Sequence, residues 1–148
     1  MPRVPWPPLV VLGIVLSAWG LGQVLPLETP HVPYARLAGW ICVGAAALVE
    51  LAALIRFRTE GTTILPHRDA KALVTDGLYR VSRNPIYLAH VGLVAGLALL
   101  THNGWLLGGA VATFIALDRL AVRPEEAFLT EHFGEQYQNY RKRVRRWI

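Results

Sequence analysis

Charge is scarce in this sequence of 148 residues: Asp, Glu, Lys and Arg together make up 17%, against 53% hydrophobic residues. A water-soluble domain of this length needs more polar surface than that to cover its core. A single cysteine, Cys42, rules out a disulfide framework. It lies inside an apolar run and reads as a small buried hydrophobe. No Gly-x-Gly-x-x-Gly follows a strand-like run, and no strand alternation occurs anywhere, so nothing announces a nucleotide-binding α/β domain. No nucleic-acid-binding motif accompanies the net charge of +5. No residues are assigned to a metal, and no nucleic-acid partner is expected.

What is present is apolar sequence in long runs. Four segments stand out, at about 9–27, 37–55, 85–100 and 105–122. A membrane-spanning helix needs about 20 residues to cross ~30 Å of hydrocarbon. The third run, at about 24 Å of helical rise, reaches only with its start in the interface. The run after Arg3 is uncharged until Glu28, long for a signal peptide, and reads as a retained first span. Thr101–Gly104 is short enough to force an antiparallel hairpin between spans three and four.

The basic residues collect outside these runs. Six (Arg56, Arg58, Arg68, Lys71, Arg80, Arg83) lie between spans two and three, and seven more follow from Arg119 onward. The other two connections hold only Arg36. Positive-inside then places both termini and the long loop in the cytoplasm. The expected fold class is all-α: one membrane domain, a four-helix bundle with a C-terminal amphipathic cytoplasmic or interfacial helix over about 124–146. Pro124 beside Glu125 and Glu126 reads as the start of that helix. Phe128, Leu129, Phe133, Tyr137, Tyr140, Val144 and Trp147 recur at three- and four-residue steps on one face, suited in its last turns to anionic lipid. Gly134 marks a possible interruption.

Polar chemistry concentrates at the start of span three, in Leu73–Leu88, preceded by Thr62–Pro66. Pro85 suits a first helical turn and Asn84 its N-cap. The free N–H groups of that turn, with Arg83 beside them, form a place for an anionic group. Anchoring of the interface by Arg and Tyr explains the same residues equally well. Within the spans, Glu50 needs a partner, which Arg119 or Arg83 would supply. Asp118 and Arg119 read as an interfacial pair. His90, one turn beyond Tyr87, suits a proton acceptor or a helix–helix hydrogen bond. His90 and Glu50 are the only catalytic candidates. Gly92 and Gly96 form a small-xxx-small face, for which close helix packing is the readier cause.

The string Gly77-x-Tyr79, then Arg83-Asn84-Pro85-x-Tyr87, resembles the motif of isoprenylcysteine carboxyl methyltransferase-like proteins of the phospholipid methyltransferase superfamily. The block Glu125-Glu126, Leu129, Phe133-Gly134, Tyr137, Tyr140 and the basic end at Val144–Trp147 is similar to that family's C-terminal signature. The match runs from about Gly61 to Ile148, and the first two spans carry no motif. The resemblance implies an S-adenosylmethionine-dependent methyltransferase embedded in the bilayer, without a Rossmann fold. Its substrate is then a lipophilic small molecule or lipid: an isoprenylcysteine-type carboxylate, a phospholipid amine or another apolar compound. It further implies cofactor contacts from Tyr79, Arg83, Asn84, Tyr87, Glu125, Glu126 and Tyr137, with Tyr87 or Tyr137 near the sulfonium. Two departures stand out: Asn84 where the family often has His, and Ala89 where a glycine commonly follows. The alternatives are an NADPH-dependent membrane reductase of the sterol-reductase type and a non-catalytic lipid-binding membrane protein.

Overall fold

The computed structural model describes residues 6–29, 32–59 and 73–148. The stretch Thr62–Pro66, with Arg68 and Lys71 of the basic loop around it, lies outside the described residues. Helices account for nearly all of the rest. They are α1 (Pro7–Val24), α2 (Ala35–Thr59), α3 (Pro85–Thr101), α4 (Gly104–Leu117), α5 (Arg123–Phe133) and α6 (Glu135–Arg143), with a 3-10 turn at Gly77–Arg80. Three helical stretches are long and apolar enough to cross a bilayer: Pro7–Val24, Ala35–Arg56 and the 30-residue run Gly104–Phe133. The helix Pro85–Thr101 is also apolar but shorter, about 25 Å at 1.5 Å per residue. The protein is an all-α membrane protein.

Its outer faces carry Leu9, Leu16, Trp19, Trp40, Ile41, Leu48 and Val111, all exposed. Apolar exposure on this scale suits lipid rather than water as the solvent. Helix interfaces are built instead from small side chains, among them Ala18, Ala46, Ala53, Ala89, Ala98 and Ala110, all buried. Small residues let helix backbones approach where lipid removes the hydrophobic drive for association. The helices pack in the order α2–α3–α4–α1, so α1 rests on α4 rather than on its chain neighbour.

Gly39 of α2 and Gly96 of α3 mark the closest crossing. A Cβ on either glycine would sit 2.9 Å from the other's carbonyl oxygen. Gly92, the other member of the expected small-residue face, has open space around it and lines an apolar cavity between α2 and α3. Packing accounts for Gly96 and not for Gly92.

At one end of the bundle the connection from α3 to α4 shrinks to His102-Asn103. Asn103 caps α4 by accepting from the Trp105 N–H at 2.9 Å. Gly104 N–H donates to the Leu27 carbonyl at 2.6 Å and Trp105 Nε1–H to that of Leu25 at 2.7 Å, stitching this turn to the segment after α1.

At the opposite end Pro124 stands in the first turn of α5, with Glu125 and Glu126 beside it, but this helix continues α4 with no loop between them. The chain passes from α4 into α5 through a π-helical turn at Asp118–Val122, in which the Arg123 N–H bonds to the Asp118 carbonyl. The wider turn accommodates a proline ring that an unbroken α-helix would exclude. The 30-residue run extends about 45 Å, well beyond ~30 Å of hydrocarbon. Glu125 and Glu126 therefore sit on a rigid continuation of a membrane helix. The helix expected over 124–146 is two pieces, broken at Gly134 with φ +51° and ending at Arg143, after which residues 144–148 turn back towards the start of α3. Its aromatic face is not laid on lipid. Tyr137, Tyr140 and Val144 are buried against Leu73, Tyr79, Leu129 and Phe133.

Gly96→Leu forces a side chain into backbone and should destabilise by about 1–3 kcal/mol, the usual cost of overpacking. Gly92→Ala should leave the thermal midpoint of the purified protein unchanged or slightly higher. Thermal unfolding in detergent checks both.

Candidate functional site

The start of α3, the length of α5 and the chain end converge on one carboxylate. Glu126 is buried, and its Oε1 lies 2.9 Å from Arg83 Nη1. Arg146 grips the same carboxylate from the other side, Nη2 to Oε2 at 2.7 Å and Nε to Oε1 at 3.2 Å. The Arg83 and Glu126 side chains are only 10% and 9% exposed. Such a pair holds only because each charge neutralises the other. Arg146 reaches on to Asp118 at 3.6 Å, and Arg123 Nε donates to that residue at 2.7 Å. Asp118 thus pairs with Arg123 and Arg146, correcting the expected pair with Arg119. Its hydrogen bond to Glu126 raises the affinity of the Arg146 guanidinium for its proton still further.

The tail is also held through its backbone. Arg83 N–H donates to the Arg145 carbonyl at 3.1 Å. The Arg146 carbonyl accepts from Asn84 Nδ2 at 3.0 Å and from Ser82 Oγ at 3.3 Å. Asn84 occupies the N-cap position but makes no side-chain cap. Its amide is spent on the tail, correcting the expected capping role. Trp147 then packs on Phe114 of α4, with ring centroids 4.7 Å apart. Nearby, Tyr140 donates its hydroxyl to the Tyr79 carbonyl at 2.7 Å. Burial, with Tyr137 beside it, pushes the Tyr140 phenol up to about 12. Burial and the charge of Glu125 raise that of Tyr79 as well. Both remain neutral donors at any physiological pH.

Beside this ion network opens a cavity of about 130 Å³, lined by Tyr79, Arg83, Asn84, Tyr87, His90 and Glu125 together with Trp6–Pro8, Pro85 and Ile86. Five of the seven expected ligand-binding residues therefore share one cavity, and His90 joins them. Tyr87 donates its hydroxyl to Glu125 Oε2 at 2.9 Å. Among the described residues no cation pairs with Glu125, although Glu126 beside it has two. Arg83 Nε–H is buried and has no acceptor. The cavity lining thus includes a carboxylate with no cation among the described residues and an arginine whose buried Nε–H has no acceptor. Glu126 and Tyr137 do not line it. Tyr137 is buried in the aromatic cluster, where Arg83 Nη1 approaches its hydroxyl at 3.5 Å. Burial and the Glu126 carboxylate raise its phenol above the ordinary range.

Glu50 corrects another expectation. Its Oε1 lies 3.8 Å from His90 Nδ1, and Arg83, one of its two expected partners, is engaged by Glu126. Arg146 and Asp118 are members of the network that sequence reasoning left out of the site. The arginine belongs to a basic run that reads as a lipid contact, and only its position opposite Glu126 distinguishes it from Arg145 beside it. The contribution of Trp6–Pro8 has no sequence signal at all.

Breaking the central pair leaves a buried charge alone, which costs about 3–5 kcal/mol. Glu126→Gln should lower the thermal midpoint accordingly, whereas Tyr140→Phe should cost about 1 kcal/mol, one hydrogen bond. The Tyr140 contribution is full below pH 10, the phenol's ordinary value, and falls away as pH rises through about 12. Thermal unfolding of Tyr140→Phe and wild type across that range should show the difference vanish.

The profile of the phospholipid methyltransferase family matches residues 34–136, from just before α2 into the start of α6. The protein-S-isoprenylcysteine O-methyltransferase of Schizosaccharomyces pombe is 30% identical over 110 residues, 72% of this chain and 45% of that relative. The chain thus spans somewhat less than half the length of the curated relative it matches. No solved structure matches. With more than two thirds of its residues inside the family profile, and with the arginine and glutamates of both motifs joined at one site, the chain belongs to the phospholipid methyltransferase family.

Proposed function

We propose that the protein transfers a methyl group from S-adenosylmethionine to a lipophilic, membrane-partitioned acceptor at the cavity between α3 and α5. The observation that carries this reading is that two residues lining one cavity hold unmatched groups, Arg83 its Nε–H and Glu125 its carboxylate. An amino-acid end, carboxylate and α-ammonium together, has the complementary charges. Family membership supports a methyl donor there in preference to other zwitterions.

The residues divide the work by their partners. Glu125, paired with no cation among the described residues, takes the ammonium. Arg83 keeps Glu126 on its Nη1 side and offers Nε–H to the carboxylate. Tyr87 orients Glu125 through its hydroxyl and presents an aromatic face suited to a sulfonium. Glu126, Arg146 and Tyr137 hold Arg83 in place from outside the cavity. The cofactor supplies an electrophilic methyl sulfonium, so the chain's task is alignment of the acceptor with it.

A cavity of about 130 Å³ is small beside the ~300–1,000 Å³ of ordinary ligand sites. It suits the amino-acid end alone, and the nucleoside end requires the Trp6–Pro8 wall to shift. The basic end of the bundle, where this site lies, faces the cytoplasm of a bacterial inner membrane by the positive-inside rule, which puts both termini on the side of a water-soluble donor.

Ligand-induced stabilisation tests the proposal, because a ligand that binds the native state raises apparent stability. S-Adenosylhomocysteine should raise the thermal midpoint of the purified protein, and NADPH should not. Glu125→Gln breaks no ion pair. It should keep the ligand-free midpoint within about 1 kcal/mol and lose at least tenfold in affinity for S-adenosylhomocysteine. Stabilisation by NADPH alone, or by neither compound, overturns the reading.

A further inference from the structure

Resting on the proposed methyl-transfer reading, we infer that His90 is a general base for acceptors whose nucleophile carries a proton, with Glu50 as its positioning partner. Imidazole Nδ1 of His90 lies 2.7 Å from the Ile86 carbonyl oxygen, one turn earlier on α3. A carbonyl only accepts, so Nδ1 carries the proton of the neutral ring and Nε2 holds the lone pair. Nε2 makes no hydrogen bond to the described residues, and His90 lines the same cavity as Tyr87, Glu125 and Arg83. The ring is thereby held in the one tautomer that presents a base.

Glu50 supplies the second half of the device from the neighbouring helix. Its Oε1 is buried, accepts no hydrogen bond, and lies 3.8 Å from His90 Nδ1. The Glu50 side chain is otherwise 41% exposed, and on a membrane span a carboxylate is costly without a cation. Protonation of His90 at Nε2 makes that cation, directly beside the carboxylate.

The balance with a lipid amine is explicit. The ammonium gives one N–H proton to His90 Nε2. The freed nitrogen lone pair forms a bond to the methyl carbon of a methyl sulfonium, whose C–S electron pair leaves with sulfur as a neutral thioether. The methylated nitrogen carries the positive charge, and His90 releases its proton to water. An amine acceptor carries a proton at neutral pH and must lose it to a base before it can attack, whereas a carboxylate acceptor is already deprotonated and needs no base. His90 thus separates the two acceptor classes.

The test uses the full chain in detergent with phosphatidylethanolamine and, in parallel, a lipophilic carboxylate, an S-alkyl cysteine, as acceptors. His90→Gln keeps a donor for the Ile86 carbonyl and removes the base. It should cut amine methylation at least 100-fold in kcat while stabilisation by S-adenosylhomocysteine and any carboxylate methylation stay within twofold. Glu50→Gln should lower amine turnover about tenfold without changing KM for the donor. Independently of turnover, diethyl pyrocarbonate should label His90 in the wild type, read by mass spectrometry, and S-adenosylhomocysteine should protect it. Full amine turnover in His90→Gln, methylation of the carboxylate alone by wild type, or a His90 inert to the reagent overturns the assignment. Loss of S-adenosylhomocysteine stabilisation in the wild type itself overturns the donor reading instead.

Discussion

Glu126 is the point on which the rest of the site depends. One carboxylate, buried where the long helix leaves the apolar bundle, binds Arg83 from the start of α3 and Arg146 from the chain end. Removing charges from water is expensive, and this cluster is tolerable only because each ion has a partner at hydrogen-bonding distance. The consequence is geometric. Segments more than sixty residues apart in sequence are tied to one rigid helix, and the tail is fixed tightly enough for Ser82, Arg83 and Asn84 to bond its backbone.

That clamp works because the helix beneath it does not end. The π-helical turn at Asp118–Val122 carries α4 past Pro124 and out of the apolar zone. Glu125 and Glu126 are adjacent on this extension yet face different surroundings. Glu126 is neutralised inside the protein, while Glu125 lines the cavity and, among the described residues, accepts from the Tyr87 hydroxyl alone. One glutamate builds the site and the other is left to meet a ligand. The same division separates Tyr137, enclosed in the aromatic cluster, from Tyr87 on the cavity wall.

The two ends of the bundle differ in how they are closed. Away from the site, α3 and α4 turn within two residues, and backbone hydrogen bonds to the segment after α1 seal the junction. At the site end, closure is by side-chain charge and aromatic packing, which leave room between elements. The close Gly39–Gly96 crossing holds α2 against α3 and so brings Glu50 near His90 in the interior. The ion pairs around Glu126 gather at one end, and the His90–Glu50 approach lies further along the bundle, where a carboxylate needs a partner.

Much of this was legible from residue order. Long uncharged runs dictate membrane helices because no other structure satisfies the backbone in lipid. The Arg83–Tyr87 and Glu125–Glu126 motifs mark the two sides of the site because a short hairpin must return them to the same end of the bundle. The sequence could not say which of two adjacent glutamates is neutralised, that Asn84 serves the tail rather than the helix cap, or that Asp118 prefers Arg123 and Arg146 to its neighbour Arg119. Nor could it show that a proline continues a helix instead of starting one. Local patterns report periodicity and propensity, whereas ion-pair choice depends on which charges tertiary folding brings within 3–4 Å. The sequence by itself determined a helical membrane protein with a polar mouth at the start of its third helix. Only the tertiary structure decided which residues form the walls of that mouth and which form its clamp, because burial and pairing exist only once the helices have packed.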